Sequence, residues 1–239
     1  MRYVARQRNQ IHGTMTAPIS IIIPTYNSVQ GLGPTLASVF EGVSSGLVCE
    51  VIFADGGSSD EIEKIAGDLG AEFVRSAKGR GTQMAAGAQA AKGEWLLFLH
   101  SDTALSEGWA HDIRKHMVEN YDRPGYFRLA FDADGFAPWF VSRWANLRAA
   151  LFGLPYGDQG LLVSRVEYNR AGGFDDIPLM EDVRLVRRLS RPRRIKATAT
   201  TSAERYETDG WFRRGFRNLT TLLLYFLGVR PENLAKRYR

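Results

Sequence analysis

The sequence contains five consecutive apolar residues, 95–99, followed at once by His100, Ser101 and Asp102. An apolar run of this length between polar residues predicts a strand buried on both faces, as in parallel sheets. Ligands of open α/β sheets bind just beyond the carboxyl ends of such strands. We therefore expect Asp102 at the edge of a cleft, as a metal-binding or phosphate-handling group. The alternative is that Asp102 only caps a following helix.

The first half of the chain alternates between strand and helix patterns. Strands are predicted at residues 19–23, 48–54, 71–75 and 95–99, with helices at residues 31–40, 60–69 and 82–91. This alternation implies right-handed crossovers and a mostly parallel sheet with helices on both faces. The fold class is therefore expected to be α/β.

The second half is less regular. Strands are predicted at residues 126–131 and 161–164, and helices at residues 139–152, 180–189 and 211–227. We expect a disordered extension over residues 1–16, one domain over residues 17–200, and a basic helical extension with an amphipathic helix over residues 201–239. Met15 stands just before the first strand and leaves the position of the biological start open.

The cysteine content and the distribution of apolar residues exclude several classes of protein. The single cysteine, Cys49, excludes an internal disulfide framework, and its apolar neighbours predict a buried, inert thiol. No apolar stretch approaches the roughly 20 residues that span a bilayer. With no apolar signal region near the N-terminus, we expect a cytoplasmic protein.

Charge is distributed unevenly along the chain. Residues 187–239 hold 14 Lys and Arg against 4 Asp and Glu, whereas residues 1–186 hold 17 against 22. The basic part could face substrate phosphates, anionic lipid or nucleic acid, or it is a solvated surface. Nucleic acid is not expected, since no basic platform with aromatic residues is present.

Polar residues follow the first two predicted strands. Pro24, Thr25, Tyr26 and Asn27 follow the first, and Asp55 ends the second. Tyr26 offers an aromatic face to a flat base, Asn27 an amide, and Asp55 a carboxylate that accepts a hydrogen bond from a base or a ribose. The alternative for each segment is an ordinary turn.

The segment 78–84 has glycines on both sides of Arg80 at the start of a predicted helix. A guanidinium at a helix N-terminus favours an anion, so Arg80 is predicted to contact a diphosphate, with Gln83 as a further contact. The chain lacks the Walker phosphate-binding pattern and the Gly-x-Gly-x-x-Gly fingerprint of dinucleotide enzymes.

Four segments, taken in order, resemble the motifs of family 2 glycosyltransferases of the GT-A fold. They are residues 21–27, 55–60 and 97–102 and the pair Glu181-Asp182. The resemblance covers residues 17–190. Finer marks resemble a bacterial subgroup named radical-SAM/selenodomain-associated transferase 2, and they lie at residues 79–84, 98–103, 156–160 and 178–183.

The resemblance implies an inverting glycosyltransferase that moves a sugar from a nucleotide-diphosphate sugar to a hydroxyl acceptor. It assigns nucleotide binding to the four residues 24–27 and to Asp55. It also implies a single nucleotide-diphospho-sugar transferase domain. The donor base and sugar and the acceptor stay open.

The resemblance also implies a divalent cation on the donor diphosphate. Asp102 matches the second Asp of the family's Asp-x-Asp motif, and His100 replaces the first. An imidazole ligand would favour Mn²⁺ over Mg²⁺, which prefers oxygen. Alternatively, His100 hydrogen-bonds the ribose or a phosphate.

The pair Glu181-Asp182 matches the family's catalytic pair, in which the second residue is the base. Asp182 would then take the acceptor proton, whereas the alternative is an acidic helix start that complements the helix dipole. Asp158 and Gln159 are predicted to contact the donor sugar or the acceptor, and Arg205 is a further candidate for the diphosphate.

Two other functions stay open beside the transferase. A sugar nucleotidyltransferase would carry an Arg-containing, glycine-rich loop after the first strand, where this chain has residues 24–27 instead. A catalytically inactive nucleotide-binding protein is suggested by His100. The basic, apolar segment 211–239 also predicts peripheral contact with the inner face of a membrane and a lipid-linked acceptor, unless its apolar side packs on the domain.

Overall fold

The structure is a computed structural model that describes residues 17–238. The predicted disordered extension over residues 1–16 and the possible start at Met15 lie outside the described residues.

The first half forms the predicted series of strands and helices, with one short addition. Its elements are β1 (Ile19–Thr25), α1 (Val29–Ser44), β2 (Val48–Asp55), α2 (Ile62–Asp68), β3 (Glu72–Arg75), α3 (Arg80–Ala90), β4 (Trp95–Phe98) and the unpredicted β5 (Thr103–Leu105). All residues of β1 and β4 are buried, as expected for strands covered on both faces.

The second half contains more elements than the sequence predicts. They are α4 (Trp109–Glu119), β6 (Gly125–Phe131), α5 (Phe136–Phe152), a 3-10 turn (Gly157–Gln159), β7 (Leu161–Ser164), α6 (Arg165–Arg170), α7 (Glu181–Val186), β8 (Arg193–Thr201), α8 (Glu204–Asp209), α9 (Trp211–Phe226) and α10 (Pro231–Tyr238). The predicted helix at 180–189 is shorter: it begins after Met180, which takes a left-handed conformation with φ of 66°, and it ends at Val186.

The strands of the described residues form one sheet in the order β3-β2-β1-β4-β7-β6-β8-β5. The first four strands in this order pair in parallel, as do β6 and β8, whereas β4–β7, β6–β7 and β5–β8 pair antiparallel. The predicted α/β class with a mostly parallel sheet is confirmed.

Apolar residues pack on both faces of this sheet. One cluster includes Ile21, Phe53 and Trp109, and the other includes Ile22, Met84 and Phe98. Alternate residues of β1 thus face opposite layers of helices, as the period of a strand requires. This packing fixes the ends of β1, β2 and β4 beside one another.

The prediction that the Cys49 thiol is buried is wrong. Cys49 is exposed because it lies on β2 among residues whose side chains reach the surface, and its Sγ donates to the carbonyl oxygen of Ile19 at 3.2 Å.

The C-terminal segment folds into three helices rather than one. In α9, Leu222 is buried and packs with Leu234 of α10 and Val183 of α7, whereas Leu223 and Phe226 are exposed. The apolar side of this segment is therefore split between the domain and the surface. Within residues 17–238, no helix combines the length and the apolar character that crossing a membrane requires.

Candidate active site

Polar residues at the ends of three neighbouring strands meet along one edge of the sheet. Thr25 at the end of β1 lies opposite Asp55 at the end of β2, and Ile22 lies opposite Phe98 of β4. The segment 100–102 leaves β4 beside them. The predicted adjacency of these segments follows from the parallel pairing of the strands.

Asp55 is held by hydrogen bonds from its own turn. The backbone N–H groups of Gly57 and Ser58 both donate to Oδ2 at 2.8 Å, and the hydroxyl of Thr25 donates to Oδ1 at 3.1 Å. Burial raises the pKa of the Asp55 carboxyl, but bonds from Ser58, Gly57 and Thr25 outweigh burial and lower it. Asp55 is therefore a fixed carboxylate.

Asn27 joins the loops after β1 and β2. It has φ of 48°, a left-handed conformation that Asn tolerates better than most residues. Its Oδ1 accepts from the N–H of Ser59 at 2.8 Å, and its own N–H donates to Ser58 Oγ at 2.8 Å. Nearby, Lys78 Nζ lies 3.6 Å from the centre of the Tyr26 ring, so one face of that exposed ring already holds a cation.

A cleft opens beside the end of β4. Its lining brings together predicted site residues from four separate segments, namely Arg80, His100, Asp102, Asp158 and Asp182. The predicted residues of β1 and β2 lie outside the lining of this cleft.

Asp182 presents a carboxylate that is oriented by the backbone. Oδ2 accepts from the N–H of Gly157 at 2.8 Å, and Oδ1 accepts from the N–H of Val183 at 2.7 Å. One bond comes from the 3-10 turn and the other from the first turn of α7. Two N–H groups that converge on one carboxylate fix its direction.

Glu181 lies behind Arg80 rather than on the cleft surface. Glu181 is 2% exposed, and its Oε1 lies 2.8 Å from Nε of Arg80. Glu181 raises the pKa of Arg80, which keeps the guanidinium charged. Burial raises the pKa of the Glu181 carboxyl, while Arg80 acts in the opposite direction.

His100 and Asp158 are enclosed titratable groups. Burial and the charge of Arg80 lower the pKa of His100 to about 4, so the imidazole is neutral near pH 7. Burial raises the pKa of Asp158 to about 6. His100 Nε2 and Asp158 Oδ1 are buried atoms without a hydrogen-bond partner among the described residues, so both have bonding capacity to offer a ligand.

Three predicted contact residues are engaged with the protein itself. The Gln83 amide donates to the carbonyl oxygens of Thr25 and Ala54 at 2.7 and 2.9 Å, beneath the cleft. Gln159 is 0% exposed, and its amide donates to the carbonyl oxygen of Phe127 at 3.2 Å. Ser101 is engaged through its backbone, since its carbonyl oxygen accepts from the hydroxyl of Thr35. The side-chain amides of Gln83 and Gln159 are therefore committed to the protein's own backbone.

The C-terminal segment supplies one wall of the cleft, of which the sequence predicted only the polar segment 201–206 around Arg205. The residues that line it there are Thr201, Ser202, Arg205, Tyr206, Arg214, Asn218 and Tyr238. Several are joined by hydrogen bonds, since Tyr238 donates to Asn218 Oδ1 at 2.6 Å and Asn218 donates to the Tyr206 hydroxyl at 3.1 Å. The basic run in α9 was the available signal.

The side chains that line the cleft determine which kind of metal site it can form. Within residues 17–238, no group of three His, Cys, Asp or Glu side chains is placed to hold a metal ion by itself. Asp102 and the unpartnered His100 Nε2 offer donor atoms that Mn²⁺ accepts. The residues therefore fit a cation that takes its remaining ligands from a bound anion.

Comparison with known proteins places the chain in a family context. The model of the family described as "Glycosyl transferase family 2" matches residues 20–176. A comparison with curated proteins finds no match.

Solved structures share the fold at low sequence identity. S. aureus TarS 1-349 is 16% identical with a TM-score of 0.58, over 85% of this chain and 63% of that one. A longer S. aureus TarS structure is 18% identical with a TM-score of 0.57, over 85% of this chain and 38% of that one. TarS 1-349 in complex with UDP-GlcNAc is 15% identical with a TM-score of 0.54, over 77% and 58%. The chain thus spans less than two thirds of the TarS chains that it matches.

Proposed function

Because this chain belongs to glycosyl transferase family 2, we propose that it moves a sugar from a nucleotide-diphosphate sugar to a hydroxyl acceptor with inversion. Asp182 acts as the general base and Asp102 holds a divalent cation. The observation that carries the proposal is that Asp102 and Asp182, which are far apart in the sequence, line one cleft together with Arg80.

The donor nucleotide binds along the ends of β1 and β2. Asn27 and Tyr26 are exposed there, and the buried Asp55 holds the loop beneath them through bonds from Gly57 and Ser58. The face of the Tyr26 ring opposite Lys78 receives the flat base. A fold shared with a TarS structure that contains UDP-GlcNAc supports a nucleotide sugar as the donor class. The diphosphate then reaches the cleft beside Asp102.

The cleft has an acidic residue that accepts a proton and basic residues that stabilise the leaving group. Asp182 takes the proton of the acceptor hydroxyl as its oxygen attacks the anomeric carbon, and the bond from that carbon to the diphosphate oxygen breaks. Arg80 and Arg205 face the negative charge that develops on the leaving diphosphate. One base and no covalent intermediate give inversion.

Asp102 and His100 are the residues that would hold the cation, together with diphosphate oxygens. A bound divalent cation would neutralise charge on the departing diphosphate. The neutral state of His100 near pH 7 leaves its imidazole able to act as a ligand or to hydrogen-bond the donor.

The proposal is tested with a panel of uridine, guanosine and thymidine diphosphate sugars in the presence of Mn²⁺ or Mg²⁺. We expect release of the nucleoside diphosphate from one donor class. We also expect Asp182→Asn to lower kcat by about 10²–10⁴-fold, with donor affinity by calorimetry changed less than about threefold. A matched control is Asp68→Asn, which removes the same charge from the exposed surface of α2.

The outcomes separate the competing functions. Full turnover by Asp182→Asn refutes the assignment of the base. Tight binding of nucleoside diphosphates without turnover of any donor identifies an inactive nucleotide-binding protein. Release of pyrophosphate from a nucleoside triphosphate and a sugar phosphate identifies a nucleotidyltransferase.

A further inference from the structure

Two long helices carry apolar residues on exposed faces. In α5, Phe136, Phe140 and Trp144 follow one another at intervals of four residues and are 68%, 45% and 49% exposed. Residues three or four positions apart lie on one side of a helix, so these side chains form a stripe.

The second helix repeats this arrangement. In α9, Phe212, Phe216 and Leu223 also share one side and are 58%, 69% and 58% exposed. Helix sides of this length are normally buried in a monomeric protein.

The two stripes form one continuous surface. The rings of Phe140 and Phe212 lie 6.2 Å apart. Next to them, α5 and α9 pack closely, since a Cβ on Gly215 would lie 3.9 Å from Cγ2 of Val141. We call these six exposed residues of α5 and α9 the aromatic face. An exposed apolar surface that is continuous over two helices marks an interaction site.

Guanidinium groups border the aromatic face. Arg143 lies over the Trp139 ring at 5.6 Å, and Arg187 lies over the Phe226 ring at 5.1 Å. Arg213 is exposed next to Phe212. Residues 187–239 also contain 14 basic residues against 4 acidic ones. Aromatic and aliphatic side chains on one side with arginines at the border are typical of helices that lie in a membrane interface.

We propose that the aromatic face docks on the surface of an anionic lipid bilayer. Apolar side chains enter the boundary of the acyl chains, and the bordering arginines meet anionic headgroups. A symmetric contact with a second copy fits less well, because it would bring the same arginine border against itself.

This docking has a consequence for the acceptor, which rests on the proposed function. The helix α9 supplies Phe212 and Phe216 to the aromatic face and Arg214 and Asn218 to the cleft. One helix thus links the two surfaces, and docking brings the cleft to the lipid surface. A lipid-linked hydroxyl acceptor is the acceptor class that this arrangement suits.

The test is flotation of the full chain with vesicles of phosphatidylcholine, with and without phosphatidylglycerol. We expect binding to the anionic vesicles and at least a tenfold weaker partition for Trp144→Ser/Phe216→Ser, since both changes remove apolar surface that the bilayer would bury. The control Phe40→Ser changes a side chain on α1 with the same exposure as Phe216, 68% against 69%, and should bind like the wild type.

A second readout reports insertion directly. Brominated lipids should quench tryptophan fluorescence of the wild type and quench Trp139→Phe/Trp144→Phe much less. Of the three tryptophans that remain, Trp95 and Trp109 are buried, and Trp211 packs against the rings of Phe131 and Tyr206. Absence of flotation at low salt, or flotation that the face variants leave unchanged, overturns the proposal. So does concentration-dependent dimerisation that the face variants abolish. Turnover of a nucleotide sugar in solution tests the proposed function separately, since the face variants leave the cleft residues in place.

Discussion

The Nε atom of Arg80 lies 2.8 Å from Oε1 of Glu181, and Glu181 is almost fully buried while Arg80 reaches the cleft. The buried carboxylate therefore anchors a guanidinium that lines the cleft. In the proposed mechanism, Glu181 positions Arg80 and its neighbour Asp182 takes the acceptor proton.

Replacing Glu181 tests this division of roles. We expect Glu181→Gln to fold, because the amide oxygen still accepts from Arg80, but to raise the KM for the donor about tenfold as the charge that fixes Arg80 is lost. The Asp182→Asn variant should change mainly kcat. Steady-state kinetics over donor concentration separate the two effects, and an unchanged KM for Glu181→Gln would contradict the positioning role.

Gly157 lies against the imidazole of His100. A methyl group at this position would lie 2.7 Å from His100 Nε2 and 3.5 Å from Asp182 Oδ2. We expect Gly157→Ala to cost about 1–3 kcal/mol of stability and most of the activity. In the double variant Gly157→Ala/His100→Ala the stability should recover, since the imidazole is gone. Urea unfolding of all four proteins gives the coupling energy, and simple additivity would argue against this contact.

The preference of the enzyme for Mn²⁺ or Mg²⁺ tests whether His100 binds the cation. His100→Asp replaces a nitrogen donor with oxygen donors, which Mg²⁺ prefers. We expect the ratio of Mn²⁺-supported to Mg²⁺-supported activity to fall about tenfold or more. The control Asp102→Asn should weaken activity with both cations. An unchanged ratio in His100→Asp would leave His100 as a contact of ribose or phosphate only.

The raised pKa of Asp158 predicts how the free energy of unfolding depends on pH. Its pKa is raised to about 6 from 3.8 by burial, so the folded state keeps a proton that the unfolded state releases. The contribution of Asp158 to stability is therefore fully present below about pH 4 and is lost as pH rises to about 6. Asp158→Asn should stabilise the protein at pH 7, by up to about 3 kcal/mol.

The measurement for Asp158 is urea unfolding of wild type and variant at several pH values, without donor or metal. The difference in the free energy of unfolding should approach zero at pH 4. His100, whose pKa is lowered to about 4, acts on stability in the opposite direction in both proteins, so only the difference isolates Asp158. If Asp158→Asn raised the free energy of unfolding by the same amount at every pH, the raised pKa of Asp158 would be contradicted.

Elements with strong apolar patterns were predictable. The runs in β1 and β4 and the polar residues after them gave the parallel strands and the position of Asp102, because both follow from local sequence. The strand β8 was missed, although the buried Ile195, Ala197 and Ala199 alternate there with exposed or half-buried residues. Small alanines give a weak alternation, and the strand forms only through its partners β6 and β5.

The site was predictable in part. Motif order predicted Asp102 and Asp182, and the flanking glycines at a helix start predicted Arg80; the fold brings these three residues to one cleft. The enclosure of Gln83 and Gln159 depends on hydrogen bonds to distant backbone carbonyls, which no local pattern encodes. The wall of the cleft from α8 to α10 likewise depends on tertiary packing.

The cleft takes Arg80 from the first half of the chain and Tyr238 from α10. During synthesis the N-terminal part of a chain folds first, so β1 to β4 can pair long before Tyr238 has left the ribosome. A nascent chain would hold the paired ends of β1, β2 and β4 without the wall that completes the cleft. The cleft is then completed late, after most of the core already exists.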